Sequence, residues 1–480
     1  MKFKKLPAVL TLILILAPLA SADWQSVQLT DNSYAESMPS IDLDPFDIPH
    51  FAWCSNDDGD YDIYYLTEPT GIPLKTTDNN TNDLYPCLQV DRTGNAHIGF
   101  KGYDGHDYEE YYITNIGGSF CEPIQVSFTS TDVGVFVPDR SCLAVDSTGV
   151  VHIVYKYGYY EYGNWDIYYV NNEGGSFGEP TRITDGGGAT SYVRPSFALD
   201  RDAFVHVAFE DGAGIIYTNN TGGSFDTLQV VSQGALKWHA SLGIDANNRA
   251  HISFAGYHGG VYYVNNVSGS FSSQLLLSGD NGVNGPTSLS IDDSGHIHVA
   301  YVGGIFGNTN SQELYYLNNC TGPFGNPEQI TYNSEHTTQI SSCVDATGAC
   351  HIAYLEGFYG SNDYEVWYTT NGEYAEIPVD TYDSEGCAQS SLLLQNCPNP
   401  FYSMTKIRYA LPKESNVVLS IHDILGKEIA RLVDGCQRPG SYAVSWDGRG
   451  ARGKELPVGV YFCRIITDGG IATRRVILQK

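Results

Sequence analysis

Between residues 36 and 370 the hydrophobic positions fall in bursts of four to six residues and never at helical spacing. A burst such as His97-Ile98-Gly99-Phe100 or His351-Ile352-Ala353-Tyr354 is followed by a variable stretch. A second burst then comes, such as Ile167-Tyr168-Tyr169-Val170 or Leu314-Tyr315-Tyr316-Leu317. β-Branched and aromatic residues in short runs bounded by Gly, Asn and Asp read as strands. The bursts also repeat in register. Seven times an Asp stands six residues before a His that opens an apolar run: Asp44/His50, Asp91/His97, Asp146/His152, Asp200/His206, Asp245/His251, Asp292/His298 and Asp345/His351. Successive His are 45 to 55 residues apart, the period of a propeller, solenoid or array. Each period holds four strands: A (such as 141–146), B (opened by the His), C (with the Tyr-Tyr pair) and D (such as 180–184). Four short strands per period, with no capped helical pattern, predict an all-β fold and a seven-bladed β-propeller. Residues 23–31 read as an extra D strand that completes the last blade and closes the ring, with 377–381 left as linker.

The repeated Asp and His have a structural explanation. Asp-Ser-Thr-Gly at 146–149 suits a tight hairpin in which the carboxylate holds backbone amides and Gly takes a positive φ. Gly94, Gly295, Gly348 and the tolerant Asn248 fill the same place, whereas Asp47 and Ala203 predict two turns of different geometry. Pairing Asp146 with Val150 sets Ala144 opposite His152, which brings Asp and His onto one sheet face. A feature made in every blade serves the blade, so the seven His are read as staples rather than as a metal ring.

Residues 1–22 carry Lys2, Lys4 and Lys5, an apolar run over 6–19 and Ala20-Ser21-Ala22, the pattern of a secretory signal peptide. No later stretch reaches the ~20 apolar residues of a transmembrane helix. The domain expectation is signal peptide 1–22, propeller 23–390 and a smaller domain 391–480. The net charge is −29, with the acidity concentrated in the propeller and the last segment net basic. Such a surface repels phosphate backbones, which argues against nucleic acid as a partner. The 11 Cys show no metal-pair spacing, and their odd number leaves at least one thiol without an intrachain partner. The acidic loop 56–62 lacks the Gly and closing Glu of a calcium loop and reads as solvated. The cofactor expectation is therefore none beyond a structural calcium ion.

Strand order sorts the connections into two faces. A–B and C–D turns, short and uniform, share one; B–C loops and D-to-A crossings, long and varied, share the other. The varied face collects amphipathic aromatics suited to sugar rings or a protein partner. The candidate ligand-binding residues are Tyr85, Phe136, Tyr192, Arg194, Trp238 and His239 from the crossings and Tyr108, Trp165 and Tyr359 from the B–C loops. The Asp-x-x-Gly-x-x-His-Ile-x-Tyr repeats resemble the sialidase-like and lectin-like propellers of secreted bacterial proteins. A sialidase of that group implies an arginine triad, but of the propeller Arg only Arg140 and Arg194 fall near the varied face. No nucleophile elbow, phosphate loop or zinc spacing is present, and no catalytic residue is assigned.

From 392 on, alternating strands with a turn about every ten residues predict a small immunoglobulin-like β-sandwich. Gln395-Asn396, Pro398-Asn399-Pro400-Phe401, Leu411-Pro412, Asp423, Gly426, Trp446-Asp447-Gly448, Gly459-Val460-Tyr461-Phe462 and the basic Arg474-Arg475 carry a specific resemblance. The segment resembles the type A C-terminal sorting domain of type IX secretion cargo and is similar to the immunoglobulin-like part of flagellar hook-capping proteins. It departs from the family at Cys397 and His422, where an aromatic residue is usual. The resemblance implies export to the cell surface or beyond, with the type IX machinery as a partner of 391–480. The function expected is a secreted or surface-displayed protein whose propeller binds an extracellular glycan or protein. A polysaccharide-degrading hydrolase or lyase on the same scaffold is the competing reading.

Overall fold

The computed structural model describes residues 24–372 apart from 46, 70, 72, 117–118, 129–141, 160–163, 185–193, 212–213, 226, 233–236, 257–258, 279–284, 305–311, 333–334 and 359–363. Beyond these it describes 392–393, 405–411, 415–422, 427–438, 440–450, 454, 456–467 and 470–478. Two compact units divide after Tyr374. The described residues form no helix.

The first unit is a seven-bladed propeller, each blade four antiparallel strands in A-B-C-D order. Blade 1 is Glu36–Leu43, Pro49–Ser55, Asp62–Thr67 and Leu74–Lys75. In blade 7 strands A to C are His336–Val344, Cys350–Gly357 and Glu365–Thr370, and strand D is the N-terminal Gln25–Gln28. Gln25 pairs Thr370 and Gln28 pairs Trp367, so the two ends of the propeller share one sheet and the ring closes as expected. The 377–381 stretch lies outside the described residues.

All seven staples form, with a third member. Each His Nε2 lies 3.3–3.8 Å from its turn Asp. Each Nδ1 lies 2.5–2.8 Å from a strand-C hydroxyl: Tyr65, Tyr112, Tyr169, Tyr217, Tyr263, Tyr316 or Tyr368. Burial lowers the pKa of His97, His152, His206, His251, His298 and His351. Burial also raises that of partners such as Tyr112 and Tyr217. The ring is therefore neutral and the phenol protonated. Tyr O–H donates to Nδ1, and Nε2–H faces the carboxylate, donating to it at 3.3 Å in His97, His206 and His351.

The turns behave more uniformly than their residues predict. Asp47 (φ 59°) and Ala203 (φ 62°) take the same left-handed conformation as Gly94 (φ 81°) and Gly149 (φ 89°), which corrects the expectation of two different turns. The Asp carboxylate fixes the loop. Asp200 Oδ1 accepts the amides of Asp202 and Phe204, both at 2.9 Å, as Asp146 Oδ1 accepts those of Thr148 and Val150. These bonds hold Ala203 left-handed at a cost of about 1–2 kcal/mol.

Three further rings recur round the propeller, two joining neighbouring blades and one completing each blade. Four residues before each turn Asp stands Ser40, Cys87, Cys142, Ser196, Ser241, Ser288 or Ser341. Six of them accept an amide from the next A strand at 2.9–3.3 Å, and Cys142 Sγ donates to Pro195 O. Each D strand pairs only briefly, two residues in blades 1 to 6, shorter than the sequence runs. A hydroxyl just past it takes over the pairing. Thr30, Thr77, Ser127, Thr184, Ser232, Ser278 and Thr331 each accept a strand-C amide at 2.8–3.0 Å. The third ring is aromatic. The staple Tyr of one blade meets edge-on the C–D turn Phe of the next, from Tyr65/Phe120 to Tyr263/Phe324, with centroids 5.0–5.7 Å apart. Tyr316 meets Trp24 instead, at 5.0 Å, so the N-terminal strand supplies this lock for blade 7.

The second unit is a β-sandwich of a three-stranded and a four-stranded sheet. Ile407, Tyr409, Val417, Leu419, Trp446, Cys463 and Val476 fill its core. Tyr461 Oη donates back to Pro457 O at 2.6 Å, a corner common in immunoglobulin-type sandwiches.

Candidate binding face

On the varied face one ring position, six residues before the turn Asp, falls at or just before the start of the A strands: Met38, Tyr85, Arg194, His239, Pro286 and Gln339; in blade 3 the sequence has Arg140 there, which lies outside the described residues. In four blades this residue opens a β-bulge and is left-handed without being Gly: Met38 (φ 55°), Tyr85 (φ 59°), His239 (φ 57°) and Gln339 (φ 46°). Such backbone is held only where surrounding bonds impose it, and a bulge turns side chains away from the ladder. Gln339 Oε1 accepts Met38 N–H at 2.6 Å, and Glu210 accepts His239 N–H. Arg194 Nη1 stands 3.0 Å from His239 Nδ1, so these two predicted residues meet across the junction of blades 4 and 5. Trp238 precedes His239 on the same strand, opposite Ala255.

Tyr108 belongs elsewhere. It opens strand C of blade 2 (Tyr108–Thr114), where its ring lies 5.3 Å from that of Tyr103, tilted by 57°. The two rings line a cleft of about 380 Å³ with Gly59 and Asp60 from the blade 1 B–C loop and Asn80, Thr81 and Asn82 from the crossing between blades 1 and 2. Asn82 is fixed by Tyr61 N–H at 3.0 Å. Asp60 Oδ2 is buried without a hydrogen-bond partner among the described residues. A half-apolar floor with a rim of acceptors suits a hydroxyl-rich ring, and the volume falls at the small end of ligand sites. Tyr103, Asp60 and Asn82 are not among the residues expected from the sequence; Asp60 and Asn82 join the Tyr pair only across a blade junction. Phe136, Tyr192 and Tyr359 lie outside the described residues. Trp165 sits on the strand backbone opposite Gly158, with its side chain outside them.

Two carboxyls beside this region were also missed. Glu36 and Asp83, each eight residues before a turn Asp, accept the amides of Asn32 and Asn79, both at 2.8 Å. Burial pushes both up to about 7, against the lowering by those hydrogen bonds. The acidic loop 56–62 encloses Lys75, whose Nζ lies 2.6 Å from Asp58, 2.9 Å from Asp62, 3.3 Å from Asp78 and 3.5 Å from Asp57. An ammonium thus stands at the centre of that carboxylate group.

Fold and face together define an all-β propeller with an appended immunoglobulin-like domain. Residues 403–468 match the FlgD Ig-like domain family. No curated protein matches the sequence. Solved structures similar in fold include a Dyadobacter fermentans protein of unknown function (TM-score 0.45, 10% identity, 72% of this chain and 97% of that one). A Trypanosoma rangeli sialidase in complex with DANA is similar at TM-score 0.42 and 8% identity over 94% and 89% of the chains. A PL25 ulvan lyase is similar at 0.47 and 11% over 71% and 95%. These likenesses concern the fold alone.

Proposed function

We propose that this is an exported, surface-directed glycan-binding protein whose propeller holds an uncharged sugar in the Tyr103/Tyr108 cleft and whose C-terminal domain is a type IX sorting signal. The observation that carries the binding reading is the cleft itself, an aromatic pair beside an acceptor rim that includes a buried, unsatisfied Asp60 oxygen. Sugar hydroxyls supply the missing donor, and the rings cover an apolar sugar face. The Asp60 carboxylate in the lining favours neutral sugars over uronates and sialic acids. The test is retention of the purified chain on neutral and acidic polysaccharides, with released reducing ends scored in the same samples. Retention on neutral polymers without new ends, lost in Tyr108→Ala, is expected; retention that Tyr108→Ala leaves intact refutes the cleft.

The hydrolase reading keeps one observation in its favour, the Glu36 and Asp83 carboxyls held near neutrality as a general acid requires. It predicts new reducing ends that diminish as pH rises through 7 and vanish in Asp83→Asn. Support for the sorting reading comes from the hook-capping-type match and the motifs at 395–401, 446–448 and 459–462. Truncation after residue 390 is expected to trap the protein in the periplasm of a type IX-competent host. Normal surface delivery of the truncated chain would refute that role.

A further inference from the structure

Blade 6 breaks the sevenfold pattern at two places that meet. The residue four after the turn Asp is Ile48, Asn95, Val150, Phe204, Arg249 or Ala349 in the other blades and His296 here. The first variable residue of the C–D turn, at Ile116, Glu173, Thr221 or Val267 elsewhere, is Cys320 here. The two are far apart in sequence, yet His296, Cys320 and Asp292 bring ligand-type atoms within 4.8 Å of one another. Two other such groups occur among the described residues, Asp57/Asp58/Asp62 and Asp104/Asp107/Glu109, and both are all-carboxylate. The first of these encloses Lys75.

We propose that Asp292, His296 and Cys320 form a binding site for a zinc-like transition-metal dication on the turn face of blade 6. Thiolate, imidazole and carboxylate together are a borderline-soft set that selects zinc, cobalt or copper over calcium and magnesium. A tetrahedral ion with bonds of about 2.0–2.3 Å needs its ligand atoms roughly 3.3–3.7 Å apart, so side-chain shifts of about 1 Å close the site. The backbone beneath is already fixed. Asp292 Oδ1 accepts His296 N–H at 2.7 Å, and Asn318 Oδ1 accepts Cys320 N–H at 3.0 Å. His298 keeps its staple role, its Nε2 3.5 Å from Asp292 Oδ2 and its Nδ1 2.6 Å from Tyr316 Oη. Its Nε2 also lies 3.7 Å from Cys320 Sγ, so His298 borders both the carboxylate and the thiol and braces them as outer partners of metal ligands do. Three protein ligands leave the fourth position to water. Binding converts the Cys320 thiol to thiolate and releases its proton, so affinity rises with pH.

The test is titration of the full, reduced chain with cobalt(II). A thiolate-to-cobalt charge-transfer band in the near ultraviolet is expected, displaced by zinc, absent in Cys320→Ser and needing at least about tenfold more cobalt in His296→Ala. Neither residue belongs to a staple, and unchanged circular dichroism of the variants confirms that they fold. Absence of the band in the native chain, or an equal band in Cys320→Ser, overturns the proposal; divalent ions held by the acidic surface give no thiolate band.

Discussion

Removing residues 24–30 is expected to destroy the single cooperative unfolding transition of the propeller. The segment carries strand D of blade 7, with four residues paired to the strand Glu365–Thr370. It also carries Thr30, whose hydroxyl binds both Glu365 and the amide of Val366. Trp24 fills the place that a turn Phe fills in the other locks, edge-on to Tyr316 and packed on the core of blades 6 and 7. Loss of a large core aromatic alone costs about 3–5 kcal/mol, and Trp24, partly exposed, falls at the lower end. The deletion also leaves an open edge on blade 7, which favours association with other chains. The shortened chain should unfold over a broad range that begins at lower denaturant, and a synthetic 24–32 peptide added in trans should restore part of the cooperativity. Unchanged unfolding of the shortened chain would show that closure does not hold the ring.

Lys75→Met is expected to be the most damaging single surface-proximal substitution. Asp62 is wholly buried and depends on this ammonium at 2.9 Å and on Thr77 at 3.0 Å. Burial raises its pKa first, and Lys75 and Thr77 oppose that rise. Breaking a fully buried pair costs about 3–5 kcal/mol. Lys75 keeps 21% of its side chain exposed, which lowers the expectation to about 2–3 kcal/mol. The pH dependence has a definite sign. Without Lys75 the folded pKa of Asp62 climbs further above its unfolded value, so the folded state binds the proton more tightly and the variant gains stability as pH falls. The gap between variant and native chain should therefore be widest near pH 7 and narrow towards pH 4. Millimolar calcium should restore part of the loss, since four carboxylates then lack a counter-ion. Equal melting of the two proteins at pH 7 would show that the ammonium does not hold the loop.

Much of the architecture was legible because it rests on spacing. The Asp/His interval marks every blade, and the eighth D-type run at 23–31 announces closure before any pairing is seen. The turns at Asp47 and Ala203 were misjudged because local propensity argues for Gly, whereas the Asp side chain imposes the loop whatever stands there. The Ser/Cys ring and the strand-D hydroxyls carried no signal of period 2, since a single small polar residue is informative only once strand register is known. The candidate site was legible by face but not by membership. Arg194 and His239 share a ring position that counting back six from the turn Asp would have revealed. Asp60, Asn82 and the Tyr103/Tyr108 pair come from two blades, and no interval within one repeat connects them.

Calorimetric titration of the full chain with a neutral oligosaccharide from the retained polymer tests the central claim most directly. Tyr108→Ala should weaken binding at least about tenfold, or 1.4 kcal/mol, while Phe204→Ala, an exposed aromatic on the turn face, leaves it unchanged. Equal affinity of native chain and Tyr108→Ala, or loss of binding in Phe204→Ala, would contradict a ligand site in the cleft between blades 1 and 2.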